Sequence, residues 1–419
     1  MPSDQPPSAP GHATSSVACG FHEPRPIRLC IIATIGKSIQ ILYVGRPEYL
    51  NANGFDVTVG CAPSELDDAI RARGVRLKTF PLTRAITPWS DVRALAQLYR
   101  FLRSEAFDLV EVSTPKAALV GSLAAWLARS PCLVHVLHGL AYEGKGGPLG
   151  AILRAATWIP CRLADVTFAV SPSVREQICA NGLGKPDRIR VLGAGSANGV
   201  DLVGFSPGRR AAGRAVRDAH RIPPDAVVIG FVGRMTRDKG VEELAEVFRE
   251  LHEEFAHTVL LVVGDYEDRD RPSVESIGFF STHEGVRHVG WQADVVPFMA
   301  AMDISVLPTH REGLPTVLLE AAALGIPTVT TNATGARDAI VDGETGLRVP
   351  VGDAKSLKEA LARLIRDASL REAMGRAGRE WVCECFDQKE VWRRYAEEYR
   401  ALVSGGTLRT RRRDRNCAE

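Results

Sequence analysis

From residue 27 onward the chain alternates short continuous runs of apolar, β-branched residues with longer segments where apolar positions recur every three or four residues. The runs fall at 27–34, 55–59, 75–80, 108–112, 132–137, 165–170 and 188–192, with helical periodicity over stretches such as 91–104 and 116–129. Strands that are continuously apolar are buried on both faces, and strands separated by helices pair in parallel. A Gly/Pro-rich hinge follows, from Gly193 through Gly199 to Pro207-Gly208. The alternation then restarts at 226–232, 258–263, 287–289, 303–307, 327–331 and 347–349, with three more helices expected after 353. In the last of these Val391, Trp392, Tyr395, Tyr399 and Leu402 share one apolar face, expected to pack back across the hinge. The fold class expected is α/β: two doubly wound Rossmann-like domains facing a cleft. The divisions are a disordered leader over 1–26 with six prolines, a first domain over 27–200 and a linker over 201–225. A second domain over 226–385, a crossing helix over 386–405 and a basic disordered tail over 406–419 complete the chain.

A length of 419 residues suits two large domains, and 45% hydrophobic with 24% charged residues is ordinary for a globular chain. Nine cysteines, an odd number scattered through apolar segments, argue against a disulfide framework and for a reducing compartment. No run of 18 uninterrupted apolar residues occurs, and the start of the chain lacks the basic end and apolar stretch of a signal peptide. The expectation is a soluble chain, or one lying on a membrane surface. A formal charge of +2 does not suit a dedicated nucleic-acid binder. Its distribution says more: residues 1–205 carry +5, residues 206–408 carry −6 and the tail +3. The first half is therefore expected to meet an anionic surface.

The stretch Pro308-Thr-His-Arg-Glu-Gly-Leu-Pro-Thr-Val-Leu-Leu-Glu-Ala321 follows a buried strand, so it lies where open α/β sheets place ligands. Pro315 suits the first helical position, leaving the amides of Gly313, Leu314, Thr316 and Val317 around an anion at the positive helix end. Glu312 is then expected in the loop, with Glu320 inside the helix by about 1.5 turns. A second stretch, Phe231-Val-Gly-Arg-Met-Thr-Arg-Asp-Lys-Gly240, follows the first strand of the second domain. There Gly233 allows close backbone approach, Arg234 offers a fork of donors and Lys239 opens the next helix. A cation at a helix start opposes the dipole, which makes sense if a diphosphate leaving group lies there.

Arg234 with Lys239-Gly240 and the pair Glu312 and Glu320 resembles the retaining GT-B glycosyltransferases of the family that includes bacterial lipopolysaccharide, capsule and mannosyl-lipid enzymes. The resemblance spans roughly residues 27–403 and includes Asn198-Gly-Val-Asp201 with Phe205 at the domain link. It implies that Arg234 and Lys239 hold a donor diphosphate, that Glu312 contacts the transferred sugar, and that Glu320 binds a ribose diol. The segment Gly313, Leu314, Pro315 and Thr316 is implied at the phosphate or sugar. In the first domain Thr114-Pro-Lys-Ala117 and Val136-Leu-His-Gly-Leu-Ala-Tyr142 resemble the branch that extends polyprenyl-diphosphate-linked oligosaccharides, with His138 implied near the donor sugar. The chain departs at Ala33-Thr-Ile-Gly-Lys-Ser38, where many relatives carry Gly-Gly.

The function so implied is retaining transfer of a hexosyl or N-acetylhexosaminyl group from a nucleotide sugar, with uridine diphosphate as first choice, to a lipid-linked or oligosaccharide acceptor. It carries further expectations: a peripheral place on the inner face of the cytoplasmic membrane, no resident cofactor, no metal and no nucleic-acid partner. Asp268-Arg-Asp270 has a metal-binding form but sits in an acidic turn, and Cys383-x-Cys385 lacks partners at zinc spacing. A nucleotide-sugar epimerase and a non-catalytic sugar-nucleotide-binding protein are the rival readings. A dinucleotide dehydrogenase is excluded by the lack of Gly-x-Gly-x-x-Gly after either first strand.

Overall fold

The computed structural model describes residues 25–85 and 87–405, so most of the expected leader and all of the basic tail after 405 lie outside the described residues. The first sheet holds seven strands: β1 (Ile27–Ile35), β2 (Phe55–Ala62), β3 (Arg76–Thr79), β4 (Leu109–Ser113), β5 (Cys132–Leu137), β6 (Val166–Ala169) and β7 (Ile189–Arg190). Their order is β3-β2-β1-β4-β5-β6-β7 and every pairing is parallel. The second sheet holds β8 (Val227–Val232), β9 (Thr258–Val263), β10 (Val286–His288), β11 (Ile304–Leu307), β12 (Thr328–Thr331) and β13 (Gly346–Val349). It runs β10-β9-β8-β11-β12-β13, again all parallel. Strand order reverses between β1 and β4 and again between β8 and β11. A crevice opens outside the carboxyl ends at such switch points.

Burial follows from the apolar strands. On one face of the first sheet Cys30, Ile32 and Val112 meet Leu98 of the helix Pro88–Glu105 and Val120 of the helix Pro115–Ala128. On the other, Leu29, Ile31 and Val57 meet Val391, Tyr395 and Tyr399 of the helix Gln388–Ser404. The last helix thus crosses back and completes the core of the first domain, as its apolar spacing predicts. Trp392 Nε1 donates to Asn198 Oδ1 at 2.8 Å, and Asn198 Nδ2 donates to the Val44 carbonyl at 3.0 Å, tying hinge, crossing helix and first domain together.

Strand ends agree with the sequence reading to within one or two residues except in β2, which runs three residues past the expected end at Val59 to Ala62. In the segment 201–225, expected to be a linker, residues Arg210–Ala219 instead form a helix. It belongs to the second domain: Arg217 pairs with Asp303 at 2.7 Å, and a Cβ on Gly213 would lie 2.4 Å from the Ala300 carbonyl. Its Arg-rich outer face hides the narrow apolar stripe that makes it a helix.

Candidate active site

The two switch points face each other, and loops from both sheets close around two joined cavities. One, of about 220 Å³, lies between Thr114, His138 and Gly139 of the first domain and Arg234, Lys239 and Glu312 of the second. The other, of about 360 Å³, shares His138, Glu312 and Gly313 with it and runs past Leu42 and Asn198 to Thr316 and Glu320. Where they meet, the domains touch backbone to backbone. A Cβ on Gly313 would sit 1.9 Å from the His138 carbonyl oxygen, and Gly139, at φ 134°, packs on the Gly313 Cα. Only glycine fits such an approach.

Lys239 Nζ donates to Glu312 Oε1, and each side chain is only 14% exposed. Glu312 stands in the wall shared by both cavities, and Lys239 reaches it from the first. The Glu312 amide donates to the Thr334 carbonyl at 2.9 Å, which fixes the loop that presents its carboxylate. Contrary to the expectation from sequence, Lys239 does not open the helix. It ends a 3₁₀ turn, Arg237–Lys239, and Gly240 separates it from the helix Val241–Glu254. Gly240 holds a left-handed conformation that no continuous helix contains, so the ammonium points across the crevice.

Arg234 lines the first cavity but is more than half exposed, and its guanidinium engages Glu267. A Cβ on Gly233 would make only ordinary contact with the Phe231 ring, at 3.6 Å; the close approach falls on its carbonyl, 1.9 Å from where a Cβ on Gly264 would sit. Asp238 and Arg311, which sequence reasoning did not single out, also line this cavity and pair at 3.0 Å. Burial works to raise the Asp238 carboxyl, but the Thr236 hydroxyl and the cations Lys239, Arg311 and Arg234 outweigh it and hold it below its ordinary range. The available signal was adjacency, since each precedes a motif residue by one position.

The helix Thr316–Ala323 starts one residue later than expected, with Pro315 at its cap rather than in its first turn. The Pro315 ψ of 97° is extended, and the Leu318 amide reaches back to its carbonyl at 3.1 Å. The amides of Thr316 and Val317 remain without an intrahelical acceptor, so the helix start is a site for an anion beside Gly313 and Leu314. Glu320 opens into the second cavity from inside the helix, and desolvation pushes its carboxyl up to about 7. Burial first, then Arg46 and His135, push the His138 imidazole down to about 3, so it is neutral at physiological pH. Its Nε2 lies 3.4 Å from the Tyr43 hydroxyl.

Other candidates fall elsewhere. Ser38 sits on the helix Gly36–Leu42 and lines neither cavity. Asp270 accepts the Asp238 amide at 2.9 Å, and Cys383 and Cys385 lie on the helix Ala368–Cys385. Sequence reasoning also missed Glu143, which accepts the Thr334 hydroxyl across the domain seam at 2.8 Å; burial raises its carboxyl.

Comparison with known proteins agrees with this geometry. The family model for glycosyl transferases group 1 matches residues 214–381, and that for the glycosyl transferase 4-like domain matches residues 48–195. The chain is 31% identical to the capsular polysaccharide biosynthesis glycosyltransferase CapM of Staphylococcus aureus, covering 89% of this chain and 96% of the relative. It is 28% identical to the UDP-Gal:alpha-D-GlcNAc-diphosphoundecaprenol alpha-1,3-galactosyltransferase of Escherichia coli, over 80% of this chain and 86% of that one. Its fold matches the crystal structure of Anabaena Alr3699/HepE in complex with UDP and glucose, with a TM-score of 0.76 at 20% identity, over 90% of this chain and 100% of that chain. The chain belongs to the group 1 glycosyltransferases with a family-4-like first domain, on the GT-B fold.

Proposed function

We propose that this glycosyltransferase moves a hexosyl or N-acetylhexosaminyl group from a UDP-sugar to a polyprenyl-diphosphate-linked saccharide, with retention at the anomeric carbon. The observation that carries the reading is the Lys239–Glu312 pair, set where both cavities meet and beside the start of the helix Thr316–Ala323. The name of the E. coli relative, a transferase acting on a diphosphoundecaprenol-linked sugar, supports the acceptor class, and UDP bound to Anabaena HepE supports the donor class.

In this reading the donor diphosphate lies between Lys239, Arg234 and the helix start. Competing for the Lys239 ammonium, it frees the Glu312 carboxylate to accept a hydroxyl of the sugar. Glu320 takes the ribose diol in the second cavity, and neutral His138 donates or accepts a hydrogen bond without adding charge. The bond from the anomeric carbon to the diphosphate oxygen breaks as the acceptor hydroxyl oxygen attacks from the same face. The hydroxyl proton passes to the departing diphosphate. Positive groups then stabilise charge that grows in the transition state, so the step needs no resident metal. The site faces the cytoplasmic leaflet, where the acceptor lipid is anchored.

The test is incubation with a panel of nucleotide sugars and a polyprenyl-diphosphate-linked sugar, with products read by mass and by the anomeric proton coupling. A lipid-linked product extended by one α-linked sugar from an α-linked donor supports the proposal. An altered free nucleotide sugar with no extended product would indicate an epimerase, and binding without turnover a sensor.

A further inference from the structure

Three helices cover the outer face of the first sheet in the order Pro88–Glu105, Pro115–Ala128 and Gly147–Leu163, each packed beside the next. Their inner faces are buried as an α/β layer requires. Their outer faces are not the polar surface that a water-facing helix carries. Three of the chain's six tryptophans are exposed there: Trp89 at 90%, Trp126 at 52% and Trp158 at 45%. Val92, Leu127 and Ile152 lie exposed among them. An apolar surface of this extent on a soluble domain marks an interaction site.

Charge narrows the occupant. The second and third helices carry no Asp or Glu at all, and the first carries two. Both are engaged: Asp91 takes Lys116 at 2.7 Å, and Glu105 takes Arg28 at 2.8 Å. Arg93, Arg100, Arg103 and Arg154 are exposed on these helices, and among the described residues no carboxylate pairs with them. A face of tryptophans and aliphatics studded with cations and lacking free anions matches the interface of an anionic bilayer. There indole rings sit at headgroup level and each cation adds attraction.

Position supports the same occupant. The helix Gly147–Leu163 presents Ala156 and Thr157 to the 220 Å³ cavity while Ile152 and Trp158 face outward. Pro115, at the head of the middle helix, lines that cavity too. The crevice therefore opens beside the apolar face. We propose that this three-helix face docks the protein on an anionic lipid bilayer, with the first-domain side of the 220 Å³ cavity's mouth at headgroup height. The proposal rests on the transferase reading only in taking the acceptor to be lipid-linked.

The full chain is sedimented with vesicles of phosphatidylcholine, with or without phosphatidylglycerol. Wild-type protein should bind the mixed vesicles and release with added salt. The variant Trp126→Ser/Ile152→Ser should bind at least about tenfold more weakly, and Arg93→Glu/Arg100→Glu by a similar factor. Val274→Ser, altered at an exposed residue of the second domain, should bind as wild type. Thermal unfolding monitors the fold of each, and transfer to a water-soluble acceptor should stay at the wild-type rate in the first variant. Equal binding by wild type and the face variants, or no binding by wild type, overturns the docking proposal. So does a dimer in solution that the same variants dissolve, which would assign the face to a second copy. Binding that the variants lose, with no transfer to any acceptor by wild type, leaves docking standing and overturns the transferase reading instead.

Discussion

Two cation–carboxylate pairs in this molecule share their chemistry and differ in everything around them. Arg46 and Glu111 are fully buried under the crossing helix. The guanidinium donates to both carboxylate oxygens and to the Ala197 carbonyl, lies over the rings of Tyr43 and Tyr395 at 4.4 and 4.3 Å, and Tyr399 donates to Glu111. Lys239 and Glu312 have, among the described residues, only each other as side-chain ion-pair partners; both line the first cavity and Glu312 also lines the second. A sealed pair with nearly every valence used locks one element to another, whereas a pair with spare donor and acceptor capacity facing a cavity can exchange partners with a ligand.

The comparison breaks most visibly on the sealed side. Arg46→Met leaves Glu111 buried without its cation and should destabilise the fold by about 3–5 kcal/mol, read by chemical denaturation. Glu312→Gln should instead leave unfolding nearly unchanged while lowering kcat by about 10²–10³, the usual effect of losing one charge-directed contact in a transition state. Between the pairs lies the seam. Gly313→Ala forces a Cβ against the His138 carbonyl and should cost about 1–3 kcal/mol in stability while weakening donor binding.

The smallest effect concerns Glu320. Its folded carboxyl, raised to about 7 by burial, holds a proton that the unfolded chain releases near the ordinary value of 4.5. The native state therefore binds more protons between those values, so stability falls as pH rises from about 4.5 to 7 and levels off above. Glu320→Gln should remove that slope, raise the unfolding temperature at pH 8 by roughly 2–4 °C, and weaken UDP binding.

Much of this was legible in the chain. Strand β8 is apolar from end to end and β1 from Leu29 to Ala33, and that continuity fixes a parallel, two-sided layer. Glu312, Lys239, Glu320 and His138 follow strand ends or sit one turn beyond, and the fold brings all four to the joined cavities. What escaped depends on partners distant in sequence. Arg234 turns to Glu267 within the second domain, while Glu143 meets Thr334 and Gly139 meets Gly313 only once the domains face each other. The outer face of Pro115–Ala128 was hidden for another reason: the helix is apolar all round, so periodicity gives no hint of which side stays uncovered.

The central claim is that the Lys239–Glu312 pair serves transfer and the Arg46–Glu111 pair serves the fold. The most direct test measures, on one preparation each of wild type, Lys239→Ala and Arg46→Met, the rate of lipid-linked product formation and the unfolding free energy. The account predicts that Lys239→Ala keeps wild-type stability and loses transfer, while Arg46→Met loses stability. Wild-type turnover in Lys239→Ala, with its fold intact, would contradict it.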